Sequence, residues 1–107
     1  MTKADQKRLE IIHRLPCMAC VQIGQLACGR VEAHHIVDKG YRKHSGGHQA
    51  TIPLGAWHHR GEPLMGHTKR YMQSVYGPSL ALQSKHFAIT FGSQRELLAN
   101  IDKVING

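Results

Sequence analysis

Three closely spaced cysteines, Cys17, Cys20 and Cys28, constrain this chain more than any other feature. An odd number cannot all pair internally, and no secretory pattern opens the sequence, so the thiols are expected in a reducing compartment. Cys17 and Cys20 bracket a Cys-Met-Ala-Cys turn, a spacing that lets two thiolates converge on one tetrahedral ion. A redox CxxC opens a helix after a strand in a βαβ pattern, and none precedes Cys17. Nine His against two Phe and one Trp point the same way. Structural Zn²⁺ is the expected reading, with plain buried thiols as its alternative.

The remaining composition sets bounds. A chain of 107 residues is expected to form a single domain, residues 1–107, with no repeat, linker or low-complexity tract. Fourteen Lys and Arg against seven Asp and Glu give +7 and a pI of about 9.7, which suits an anionic partner. No apolar run reaches the roughly 18 residues of a membrane span, so a soluble protein with no membrane partner is expected.

Local signals divide the chain. Thr2 and Asp5 form a capping-box variant for a first helix, with Leu9, Ile11 and Ile12 at helical spacing until Pro16 stops it. Residues 16–29 read as a turn-rich knuckle. Residues 30–37 alternate and are β-branched, predicting a strand; residues 38–48 are a Gly-rich, basic loop. Residues 50–54 predict a second short strand, which Pro53 restricts to an edge or a strand end. A short helix is expected from Ala56 or Trp57, a loop over 61–66, and helices over 67–76 and 79–91, closed by Gly77-Pro78 and Gly92. Ser93 and Glu96 form a capping box for a last helix, with Leu97, Leu98, Ile101 and Val104 expected in the core along with Trp57.

The histidines cluster as His34-His35, His58-His59 and His67. Neighbours in a strand point to opposite faces, and neighbours in a helix diverge by about 100°. Neither pair easily serves one ion, so two centres are the economical arrangement, one closed and structural, the other open and catalytic. His13, His44, His48 and His86 read as bystanders or phosphate contacts, and Gly46-Gly47-His48 as a turn that could also cradle phosphate.

A CxxC knuckle, His-His-Ile-Val in a strand, a Gly-rich loop, a strand ending Ile-Pro-Leu and His-His at a helix start together resemble the HNH, or ββα-metal, endonuclease superfamily. Gly-His-Gln-Ala-Thr-Ile-Pro-Leu, Trp-His-His-Arg-Gly, Gly66-His67 and Tyr-Gly-Pro-Ser-Leu are similar, more narrowly, to the phage Ref family of RecA-dependent nucleases. The likeness spans roughly residues 16–105. It implies an α+β fold: a small zinc-stabilised ββα-metal core over residues 30–67, the knuckle over 16–29, a flanking N-terminal helix, and C-terminal helices over 67–105.

The resemblance also implies a mechanism. His34 would ligate a divalent metal and His35 would deprotonate water as general base, a task suited to an imidazole. His59 and His67 would be further ligands, with Mg²⁺ or Mn²⁺ as working ion, although a three-His site suits softer metals better. Arg42, Lys43, Arg60, Lys69 and Arg70 would neutralise DNA phosphates. DNA and a RecA recombinase filament are the implied partners, and a bacterial cytoplasm with phage or prophage origin the implied setting.

Two departures stand out. The family's base-orienting Asn would fall near Ala50, which cannot do that job, leaving Gln49 or a backbone carbonyl. The family's knuckle often carries Cys where Gly55 sits. Cys28 is therefore expected to join Cys17 and Cys20, with His58 as fourth zinc ligand. The alternatives are a zinc-stabilised nucleic-acid-binding module without catalysis and a zinc-dependent protein-interaction domain.

Overall fold

The computed structural model describes residues 2–36 and 47–107. The Val37 end of the first expected strand, most of the Gly-rich loop, and Arg42, Lys43, His44 and Gly46 lie outside the described residues.

Helix α1 (Lys3–Arg14) starts where the sequence places it: the Thr2 hydroxyl accepts from the Asp5 amide and the Asp5 carboxylate from the Thr2 amide. It ends at Leu15, because a residue before proline is pushed out of the helical region. Ile12 is buried, but the other buried residue of its face is Arg8, not Leu9 or Ile11, which are half-buried. Arg8 reaches the Thr51 hydroxyl (3.3 Å), the Thr51 carbonyl (2.7 Å) and the Asp102 carboxylate (2.6 Å). It survives burial because each of its three nitrogens finds an acceptor.

The knuckle contains one short helix, α2 (Met18–Gln22). Strands β1 (Val31–His35) and β2 (Thr51–Gly55) pair antiparallel, with His34 opposite Ile52 and His35 opposite Thr51. In a two-stranded sheet each strand is an edge, so Pro53 is tolerated opposite Ala33. β2 is buried along its whole length, with α1, α2 and the last helix of the chain packed near it and the next helix following directly. Ile12, Ile52, Leu54, Trp57, Met72, Phe87 and Leu97 form the centre of the core.

Helix α3 (Ala56–Arg60) follows β2 without a linker and closes at Gly61 in the left-handed region (φ 73°). Helix α4 (Lys69–Tyr76) begins two residues later than the sequence suggests, because Thr68 is its N-cap and His67 stays outside. Helix α5 (Ser84–Phe91) is shorter than the expected 79–91. The Ser79 hydroxyl accepts from the Leu82 amide and the Leu80 amide donates to the His58 carbonyl, so local and tertiary bonds replace the helical ladder there.

Helix α6 (Gln94–Asn106) carries both halves of the Ser93–Glu96 capping box. Leu97, Leu98 and Ile101 are buried as expected; Val104 is 63% exposed. Val104 instead borders a surface groove lined by Leu15, Met18 and Val21. The order is α+β: a hairpin and six helices among the described residues. No helix among them is long and apolar enough to cross a membrane.

Candidate metal centres

The three cysteines and His58 converge. Their ligand atoms all lie within 4.8 Å of one another, and all four residues are buried. The His58 Nδ1 is 3.4, 3.6 and 3.1 Å from the sulfurs of Cys17, Cys20 and Cys28, and the Cys28 and Cys17 sulfurs are 3.9 Å apart. A tetrahedral zinc with bonds of about 2.3 Å to sulfur and about 2.0 Å to nitrogen needs edges of about 3.5–3.8 Å. The cluster can therefore hold a zinc ion with little rearrangement.

Each donor has a structural reason for its position. Cys17 and Cys20 bracket the first turn of α2, and Cys28 returns at the end of the knuckle. His58 enters from α3, its ring edge-on to Phe91 (5.1 Å between centroids), and its Nε2 donates to the Tyr76 carbonyl at 2.9 Å. That bond occupies Nε2 and leaves Nδ1 facing the sulfurs, where it would ligate a metal once its own proton is displaced. At Gly55 a Cβ would sit 2.5 Å from the Cys28 sulfur. Cys28 thus occupies the space a side chain at position 55 would need, and glycine is what admits it.

The electrostatics also favour a cation. Hydrogen bonds from Cys20 and Cys28 hold the Cys17 thiol well below its ordinary range, while the contacts with Cys17 and Cys28, together with burial, push Cys20 far above it. Burial opposes a charge on His58, yet hydrogen bonds to Cys17 and Cys28 push its pKa up to about 10. Several thiolates in one buried space repel each other, and a dication relieves that repulsion.

A second group of histidines lies at the open side of the hairpin. The rings of His34 and His59 are edge-on with centroids 4.9 Å apart. Both line a surface cavity of about 400 Å³ with Arg60, Ser84 and Gln94. His34 is buried, and its Nε2 lies 2.8 Å from the Gln94 Oε1. His59 Nδ1 lies 2.8 Å from the Glu32 Oε1. His35 points the other way along the strand: it is exposed, and its Nε2 is 2.9 Å from the His48 Nδ1. Burial, then the charges of His48 and His59, hold the His35 pKa below its ordinary value.

His67 is exposed and stacks on Tyr71 at 4.3 Å between centroids. Among the described residues no third His, Cys, Asp or Glu closes with His34 and His59 into a second three-donor group. Two imidazoles facing one open cavity would leave the other positions of a divalent ion to water and phosphate.

Of the basic residues, Arg42 and Lys43 lie outside the described residues. Arg60 is ion-paired to Glu32 at 2.8 Å. Lys69 and Arg70 are exposed in the first turn of α4, where the helix dipole adds to their positive charge. Gln49 is turned away from His35, donating to Asp5.

Sequence reasoning missed Glu32 and Gln94, and read His48 as a bystander or phosphate contact. A signal existed for Glu32, since strand alternation puts it on the face of His34. For His48 the signal was its place beside Gln49 and Ala50, where the family's base-orienting Asn would fall; Gln94 carried none, because only the fold brings residue 94 to residue 34.

Compared with known protein families, residues 1–106 match the one described as "Recombination enhancement, RecA-dependent nuclease". Comparison with the curated proteins gives no match.

Proposed function

The chain belongs to the family of recombination-enhancement, RecA-dependent nucleases, and from that premise we propose that it is a metal-dependent endonuclease of HNH type that hydrolyses phosphodiester bonds in RecA-coated DNA. The observation that carries the HNH reading is the apposition of His34 on β1 and His59 on α3 across one open cavity, beside a closed Cys3His cluster. The ββα order of hairpin and helix supports it.

In this reading Cys17, Cys20, Cys28 and His58 hold a structural zinc, which welds the knuckle to α3 and so fixes where His59 begins its reach. His34 and His59 hold the catalytic divalent ion, with His67 as a further ligand if its loop closes on them. The ion's chemistry is to stabilise charge on the scissile phosphate and leaving oxygen. His35 takes the proton of the attacking water. Burial and the neighbouring His48 and His59 lower its pKa, which favours the neutral form that a base needs. His48 orients it, standing in for the Asn that Ala50 cannot replace. Lys69, Arg70, Arg42 and Lys43 supply phosphate contacts.

The test compares wild type with His35→Ala on RecA-coated and bare DNA, with Mg²⁺ or Mn²⁺. The expected result is cutting of coated DNA by wild type, lost in the variant while salt-sensitive DNA binding persists. Equal cutting by both proteins defeats the base assignment. Binding without cutting by either identifies a zinc-stabilised DNA-binding module instead.

A further inference from the structure

Glu32 belongs to no part of the reading so far, yet it is the best-tethered carboxylate beside the cavity. It stands two residues before His34, on the same face of β1. Its Oε1 accepts from His59 Nδ1 at 2.8 Å, and Arg60 grips it from the other side, Nε at 2.9 and 3.0 Å from the two oxygens and a terminal nitrogen at 2.8 Å. Both oxygens are thus engaged, which restrains the carboxylate. Helix α3 is only five residues long, too short to hold a direction by its own hydrogen bonds. Something outside the helix must aim the His59 ring.

We propose that Glu32 is the positioning residue of the cavity's metal centre: by accepting from His59 Nδ1 it fixes the ring's tautomer and leaves the Nε2 lone pair to a divalent cation. The inference rests on the assignment of His59 as a ligand. Carboxylate–imidazole–metal relays gain affinity in two ways: the ring is already oriented, and the anion makes it a better donor. Arg60 then has a different role from direct DNA contact. It holds the carboxylate in line, and part of its charge is spent on Glu32 rather than on phosphate.

The experiment uses the full chain with its Cys3His cluster loaded with zinc and Mn²⁺ alone as probe. Free Mn²⁺ is followed by electron paramagnetic resonance in wild type, Glu32→Gln, Glu32→Ala and His59→Ala. The tautomer of His59 is read from ¹⁵N shifts before Mn²⁺ is added. Loss of the carboxylate is expected to weaken Mn²⁺ binding by about 10–100-fold. It should also turn a single Nδ1–H tautomer into a mixture, with zinc content and melting temperature held by the isosteric Glu32→Gln. Wild-type Mn²⁺ affinity in both Glu32 variants, alongside lost binding in His59→Ala, overturns the positioning role and leaves the ligand assignment standing. Wild-type affinity in His59→Ala overturns that assignment, and the inference with it.

Discussion

Moving a zinc ligand from residue 28 to residue 55 tests the geometry of the closed cluster most directly. Cys28→Ala removes one of four donors. Apparent zinc binding energies of about 10–16 kcal/mol, shared over four ligands, make each worth about 2.5–4 kcal/mol, or about two to three orders of magnitude in affinity. Cys28→Ala is therefore expected to release zinc to a chelator that wild type resists, and to melt early. A Cβ at position 55 would lie only 2.5 Å from the Cys28 sulfur. One carbon–sulfur bond from that Cβ covers most of the gap. The double variant Cys28→Ala with Gly55→Cys is therefore expected to regain most of the lost affinity.

Gly55→Ala alone has the opposite outcome. Its methyl group needs ordinary contact distance from Cys28, so the sulfur must retreat by about 1 Å, far outside the tolerance of a tetrahedral bond of about 2.3 Å. Zinc stoichiometry by colorimetric release and affinity by chelator competition read all three proteins. Undiminished zinc affinity in Cys28→Ala refutes the ligand set. A double variant no better than Cys28→Ala refutes the claim that the two positions share one space.

Other outcomes follow from the same geometry. His35→Ala is expected to lower single-turnover cleavage of RecA-coated DNA by about 10²–10⁴-fold; a loss under threefold would exclude a general base there. His48→Asn keeps a polar atom where Nδ1 meets His35 and is expected to retain more cleavage than His48→Ala, so equal rates would deny His48 an orienting role. Arg8→Ala strips Thr51 and Asp102 of their shared donor and is expected to cost about 2–3 kcal/mol in urea denaturation of the zinc-loaded protein, where less than about 0.5 would contradict a buried pin. Backbone and side-chain bonds at Ser93 hold the Glu96 carboxyl below its usual range. The unfolded chain then takes up the proton first, so this cap's stabilisation is present above about pH 4.3 and fades as pH falls through the lowered value. Glu96→Gln should flatten that acid limb in pH-dependent melts.

Much of this protein is written locally. The capping boxes Thr2–Asp5 and Ser93–Glu96, the stop at Pro16, the left-handed close at Gly61 and the alternation of β1 are short-range chemistry, and short-range chemistry can be read along a chain. The Cys-Met-Ala-Cys turn announces thiolate convergence for the same reason. Where local bonds compete with tertiary ones, reading fails: residues 79–83 leave the helix to serve His58, and Val104 follows the apolar period of α6 past the edge of the core.

Long-range apposition is decided by packing alone. Nothing in the spacing of residues 32, 59 and 60, of 35 and 48, or of 34 and 94 says that they touch. A hairpin folded against two helices brings those pairs within hydrogen-bonding reach. The order of residues thus chose the donors, while the three-dimensional arrangement chose their partners, because a side chain's neighbours across the fold depend on how every intervening element packs.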